Sequence, residues 1–229
     1  MSAPDPATAA AAAAPDAPQT GDARKTCYAA ARNKEHILAV LKTLEPAPRR
    51  VFEVSSGTGE HAETFLSQLL GVEAYQPSEF DESMFESILA WTSEHRARCS
   101  APLVLDVTNA DNVDAAVATR GEGFFDTIIN INMIHISPPA TTAALFSLAD
   151  KLLSPGPAAA VVTYGPYRVG GAMVESNVTF DASLKARDAS WGVRDIEWVE
   201  AQAAASGFVL ERSVEMPANN LTCVWRRRR

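Results

Sequence analysis

Nine consecutive residues carry the first chemical signal: Glu53-Val54-Ser55-Ser56-Gly57-Thr58-Gly59-Glu60-His61. Gly57 and Gly59 let a backbone turn sharply and approach a ligand with no Cβ in the way. The segment that follows opens a helix whose first amides face that ligand. Glu53 precedes the glycines by four positions, where a carboxylate can organise the turn beside a cationic ligand. Ser55 and His61 flank the same turn. Further along, Glu79 lies at an offset suited to a ribose hydroxyl, and Asp106 is placed to accept from an adenine amino group. A second set of polar residues follows later strands: Asn132, Met133 and His135, then Tyr164, Tyr167 and Arg168, and finally Asn219 and Asn220. Their residue types suit a pocket that orients a small molecule and moves a proton.

The elements that must position these residues alternate. Apolar spacing predicts a helix over 34–44, stopped by Pro46 and Pro48. Strands are expected over 50–54, 72–76, 102–107, 124–131 and 158–164, with helices over 60–70, 81–96 and 111–118 between them. Ser137 is expected to cap a helix with Pro138 at its first position, running to Leu153. The segment 165–192 reads as an ordered lid with a short helix near 180–186 and apolar anchors at Phe180, Leu184 and Trp191. Asp195 is expected to cap a helix ending at Gly207. Strands over 208–215 and 221–226 are joined too closely to be parallel. The fold class is therefore α/β, doubly wound: a mostly parallel seven-stranded sheet with one antiparallel strand near the C-terminus. In such folds ligands sit outside the carboxyl ends of the strands.

Residues 1–23 are mostly Ala, Pro, Asp and Thr and are expected to be disordered, leaving one domain over 24–229. The formal net charge is -8, which argues against a nucleic-acid surface. No stretch approaches a membrane span, no targeting segment is legible, and the cytosol is the default location. Cys27, Cys99 and Cys223 have no spacing that suggests a metal site or a disulfide.

Two cofactor classes fit the glycine turn. Ala62 completes a loose dinucleotide fingerprint with Glu79 as its acid, which would make the chain an NAD-dependent oxidoreductase. Glu53, Asp106 and the closing strand pair favour S-adenosylmethionine. A third possibility is a scaffold that binds cofactor without turnover.

The run 53–61 resembles the first motif of class I methyltransferases. From Arg32 onward the chain resembles the methyltransferase-like 26 family. The matching segments are 32–35, 56–61, 76–79, 132–137, 164–167, 187–192 and 216–220. Glu79 stands where that family usually carries Asp. The resemblance implies a methyltransferase fold and use of S-adenosylmethionine, but no particular acceptor. Glu53, Ser55, Gly57, Gly59, His61, Glu79, Asp106, Asn132 and Met133 are then expected to bind cofactor. His135, as a general base, and Tyr164 are the expected catalytic pair. Arg32 and Asn33, just before the first helix, together with Tyr167, Arg168, Asn177, Asn219 and Asn220, are expected to contact a small-molecule acceptor.

Overall fold

The computed structural model describes residues 22–228; most of the expected disordered tail therefore lies outside the described residues. Helix α1 (Tyr28–Leu41) leads into β1 (Arg50–Val54), followed by α2 (Glu60–Gln68), β2 (Ala74–Glu79), α3 (Phe85–Trp91), β3 (Leu103–Val104), α4 (Ala110–Ala118) and β4 (Thr127–Ile131). Then come α5 (Ala140–Leu152), β5 (Ala160–Gly165), β6 (Tyr167–Arg168), α6 (Glu175–Arg187), β7 (Arg194–Asp195), α7 (Ile196–Ala205), β8 (Phe208–Met216) and β9 (Asn220–Arg227). Seven strands form one sheet in the order β3-β2-β1-β4-β5-β9-β8, and β6 pairs with β7 separately. All neighbours in the large sheet are parallel except those of β9, which is antiparallel to both β5 and β8.

The central strands are covered on both faces, so they read as apolar runs interrupted by Glu53 in β1 and Asn130 in β4. One face packs Phe52, Ile128, Val161 and Trp225 with Leu145, Phe146, Leu148 and Phe208. The other packs Val51, Ile129 and Val162 against Ile37 and Leu41 of α1 and Phe65 and Leu66 of α2. Among the described residues no helix is long and apolar enough to cross a membrane.

Several boundaries differ from expectation. Helix α1 starts at Tyr28, six residues early, so Arg32 and Asn33 lie within it instead of before it. Strand β2 continues through Pro77 to Glu79. Tyr75 and Glu79 bond towards the flank of β3, and Pro77 meets that flank before β3 begins, where its missing N–H breaks no ladder bond. The helix expected over 81–96 is cut short where Thr92 Oγ1 donates to the Ile88 carbonyl (2.8 Å), a side-chain bond that competes with helix continuation. Strand β3 is two residues long, and Asp106 lies beyond it. Ser137 does not cap α5; its hydroxyl bonds the Met133 carbonyl (2.8 Å) and Thr141 Oγ1 (2.6 Å), and the helix begins at Ala140. The expected short helix near 180–186 is the 13-residue α6, whose weak apolar periodicity hid its length.

Candidate active site

At the carboxyl end of β1 the chain turns through three left-handed residues in five: Ser55 (φ 60°), Gly57 (φ 56°) and Gly59 (φ 95°). Glu79 holds this turn from the end of β2. Its Oε2 accepts from Gly57 N–H (2.7 Å), and its Oε1 accepts from Phe80 N–H (2.8 Å) and Asp81 N–H (3.2 Å). The two glycines do different work. A Cβ on Gly57 would project into open space above the turn, whereas one on Gly59 would stand 2.8 Å from the Ile88 Cα of α3. Gly57 therefore keeps a cradle clear, and Gly59 lets α3 pack against the start of α2. Both glycines were expected to make room for a ligand; at Gly59 that space is taken by α3, and at Gly57 it is open.

Beneath the turn lies Glu53, 1% exposed, on the sheet face shared with Tyr75. Its Oε2, Ser56 Oγ and Tyr75 Oη are all buried without a hydrogen-bond partner among the described residues. Burial pushes the Glu53 carboxyl up to about 7; the Ser56 and Tyr75 hydroxyls pull the other way, and the charge of Glu79 adds to the rise. The Tyr75 phenol is pushed well above its ordinary value by burial and by Glu53. Cys99 is raised to about 11, chiefly by burial, which makes it a poor nucleophile.

Along the same rim, the ends of β4 and β5 and the start of β9 meet. Gly165 pairs with Leu221, which puts Asn220 beside the end of β5. Asn132 (φ 65°) donates its N–H to the Tyr164 carbonyl (2.8 Å), and Met133 is buried next to it. The Tyr164 phenol is raised by burial, opposed by the nearby Asn33 and Asn220 amides and the Arg32 charge. Asn33 also reaches α2: its Oδ1 lies 2.7 Å from His61 Nε2. Burial, with the Lys34 charge, lowers His61 to about 4, so the ring is neutral, and opposite an amide oxygen its Nε2 is the nitrogen that donates. Arg32 is exposed, stacked 5.3 Å from the Tyr28 ring centre. His61, expected at the cofactor, is instead joined to this polar group of Asn33, Tyr164 and Asn220.

His135 is 5% exposed, edge-on to Phe180 of α6 (5.6 Å between ring centres), and its carbonyl accepts from Gly192 N–H (3.0 Å). A Cβ on Gly165 would lie 3.0 Å from its Nδ1, so the end of β5 presses on the ring. Burial, with the Arg194 charge, lowers it to about 3. The imidazole is neutral and a weak base, which leaves little driving force for the expected general-base role.

Four expected site residues, and Asn219 with them, are committed elsewhere. Tyr167 is buried and shares a hydrogen bond with Thr163 Oγ1 (2.9 Å), which in turn accepts from Trp225 Nε1 (2.9 Å), so it belongs to the core. Arg168 pairs with Asp181 and Asp195, each at 3.6 Å. Asn177 Nδ2 donates to the Asn219 carbonyl (3.0 Å) and Asn219 Nδ2 to Ser176 Oγ (3.0 Å), tying α6 to the turn between β8 and β9. Asp106 Oδ1 accepts from Thr108 N–H (2.8 Å) and Oγ1 (2.7 Å).

Two features had no place in the sequence reading. Residues 22–27 form an arm along α3: Lys25 N–H donates to Ser87 Oγ (2.8 Å), and Ser87 donates to the Thr58 carbonyl in the glycine turn (2.7 Å). Trp91 Nε1 donates back to the Lys25 carbonyl (2.8 Å), and buried Glu60 accepts from Cys27 N–H (2.6 Å). Asn130 of β4 is fully buried; it donates to the Val54 carbonyl (3.1 Å) and leaves Oδ1 without a partner among the described residues. A lone amide inside an apolar strand was the available signal for the second.

The strand order, with an antiparallel strand inserted next to the last parallel edge, defines the class I methyltransferase fold. It is shared with an O-methyltransferase family protein from Burkholderia thailandensis (TM-score 0.71, 13% identity, 87% of this chain and 57% of that one). Human N-acetylserotonin methyltransferase in complex with SAM is similar (TM-score 0.66, 10% identity, 88% and 53%). So is PigF with SAH (TM-score 0.67, 11% identity, 86% and 55%). The chain spans a little over half the length of these structures. Within that fold it belongs to the family described as "Protein of unknown function (DUF938)", whose model matches residues 24–227.

Proposed function

We propose that the protein is an S-adenosylmethionine-dependent methyltransferase for a small-molecule acceptor, of the methyltransferase-like 26 branch its sequence resembles. The observation that carries this reading is the left-handed turn at the carboxyl end of β1, with its open space above Gly57, in a sheet where β9 lies between β5 and β8. A plain dinucleotide fold has the order 3-2-1-4-5-6 and needs no such inserted strand, so an NAD-dependent reading has less support.

The residues present fit the cofactor. Gly57 keeps the cradle open, and the Glu53 carboxyl beneath the turn, with one oxygen lacking a partner among the described residues, would release its proton readily when a cationic ligand arrives above it. Ser55, Glu79, Asn132 and Met133, at the carboxyl ends of β1, β2 and β4, would hold the rest of that ligand. Bound there, S-adenosylmethionine would supply an electrophilic methyl group on a sulfonium, with the neutral thioether as leaving group. The chain's part is then orientation and exclusion of water. Tyr164, with Asn33 and Asn220 beside its hydroxyl, offers hydrogen bonds to an acceptor. Neutral His135, held between Gly165 and Phe180, acts as an orienting wall and acceptor of a hydrogen bond. The acceptor therefore brings a free lone pair or ionises without a strong base.

A thermal melt tests the cofactor. S-adenosylmethionine and S-adenosylhomocysteine are expected to stabilise the protein, by ~2.7 kcal/mol at one hundred times the dissociation constant. Stabilisation by NADH with none from S-adenosylhomocysteine would overturn the proposal.

A further inference from the structure

We propose that a cleft at the amino-terminal end of the parallel sheet binds a small polyanion carrying two or more phosphate groups. This cleft lies at the opposite end of the strands from the glycine turn. Strand β1 runs from one to the other, about 13 Å of extended chain.

The cleft encloses about 440 Å³ between the starts of β1 and β2 and the segment 96–100. Four arginines line it, Arg50, Arg96, Arg98 and Arg120, against a single acidic residue, Glu73. Glu73 is paired with Arg49. Four positive charges less one negative leave the lining at +3, in a chain whose formal net charge is -8. Such a local reversal of sign focuses field lines onto an anionic ligand.

Two of the arginines are pre-positioned. The guanidinium carbons of Arg50 and Arg120 lie 5.2 and 5.5 Å from the Phe124 ring centre, which holds both planar groups at the cleft wall. Arg120 also approaches Ser100 Oγ (3.4 Å). Asp126, 3.6 Å from Arg50, already accepts from the backbone N–H groups of Arg49 (3.1 Å) and Arg50 (2.9 Å). Arg98 has a structural duty, since it donates to the carbonyls of Leu66, in the last turn of α2, and of Leu69 and Val72 beyond it. That duty does not extend to Arg96. It is exposed, and among the described residues its side chain takes part in no ion pair or hydrogen bond.

The chemistry of the lining selects the ligand. Arginine forks match phosphate oxygens in pairs, and a phosphate group concentrates charge and acceptors on one centre. The volume exceeds what one such group needs and falls in the range of small-ligand sites, ~300–1,000 Å³. A single concave cleft in an acidic protein suits a small ligand better than a nucleic-acid strand, which needs an extended basic surface.

Calorimetry on the full chain at low salt, with pyrophosphate and ADP as probes, tests the site. Saturable binding of at least one probe is expected, weakened tenfold or more by Arg96→Glu and by Arg120→Gln. Arg96→Glu should keep the wild-type melting temperature, because the Arg96 side chain has no partner to lose. Tenfold tighter binding of ADP than pyrophosphate would identify a nucleotide as the source; equal affinities would identify phosphate recognition alone. No saturable binding of either probe, or unchanged affinity in Arg96→Glu, overturns the proposal.

Discussion

Gly57 and Gly59 share a motif but fail differently when changed. Gly57→Ala costs about 1 kcal/mol for a side chain in left-handed backbone and points a methyl into the cradle. Its expected result is at least a tenfold loss of S-adenosylhomocysteine affinity with a modest fall in Tm. Gly59→Ala drives a Cβ into the backbone of α3, an overpacking of about 1–3 kcal/mol besides the strain. Its loss should appear first as Tm. Calorimetry beside melting separates the two. That the pair marks a turn was legible from residue type alone; that only Gly57 faces open space was not, because Ile88 reaches Gly59 through tertiary packing. Glu53 adds a pH signature. Its folded pKa, about 7, lies above the ordinary carboxyl value of 4.5, so the folded state favours the protonated form. Its contribution to stability is complete below about pH 4.5 and declines as pH rises through 7. Glu53→Gln should therefore raise Tm relative to wild type above pH 7, by up to roughly 3 kcal/mol in stability, and the difference should vanish near pH 4.5. A difference that grows towards acid pH would contradict the assignment.

Among the elements, α6 and the residues around it were the least legible. The segment 165–192 looked like a polar lid because α6 buries only Asn177, Asp181 and Leu184. Polar residues therefore do its anchoring, and apolar periodicity is silent. Asp181 accepts from Lys185 Nζ (2.6 Å) and Val193 N–H (2.8 Å) and also faces Arg168. Arg168→Ala should lower stability by about 1 kcal/mol or less, as a partly exposed ion pair allows, and leave the acceptor KM unchanged in a turnover assay once an acceptor is known. A raised KM with unchanged Tm would return Arg168 to the pocket. For His135, burial fixes the expectation. The folded pKa, about 3, lies below the ordinary 6.5, so neutral His135 stabilises the fold above about pH 6.5 and loses that contribution as pH falls towards 3. His135→Ala should lower turnover without moving the pH-rate profile between pH 6 and 9. Disappearance of an acid limb in that range, where the rate falls as a base takes up its proton, would restore the general-base role. Strands β1 and β4 were read nearly to their ends, since burial on both faces leaves an unmistakable apolar run, whereas two-residue β3 and the β6–β7 pair depend on neighbours no local pattern records.

At the scale of the whole molecule, the order of alternating elements carried the architecture, because a parallel sheet demands crossover helices and the short last connection demands an antiparallel strand. The arm at 22–27 escaped notice because it is held largely by its own backbone groups, bonded to Ser87, Glu60 and Trp91, and any sequence could supply those groups. A chain beginning at Asp22 and one beginning at Tyr28 should differ measurably: loss of the arm uncovers Trp91 and loosens Ser87, which supports the Thr58 carbonyl, lowering both Tm and S-adenosylhomocysteine affinity. Equal values for the two chains would reduce the arm to a surface ornament.

Strand β9 follows every other strand of the sheet in synthesis, yet it lies between β5 and β8 and carries Trp225 into the core. Until residues 220–227 have emerged, a nascent chain holding every other strand still presents β5 as a long unpaired edge. Such an edge invites pairing with other chains. The newborn protein is thus exposed to aggregation until those residues leave the ribosome, and a stalled or prematurely released chain lacking them would be a substrate for chaperones and proteases, with the glycine turn already built and its neighbouring wall missing.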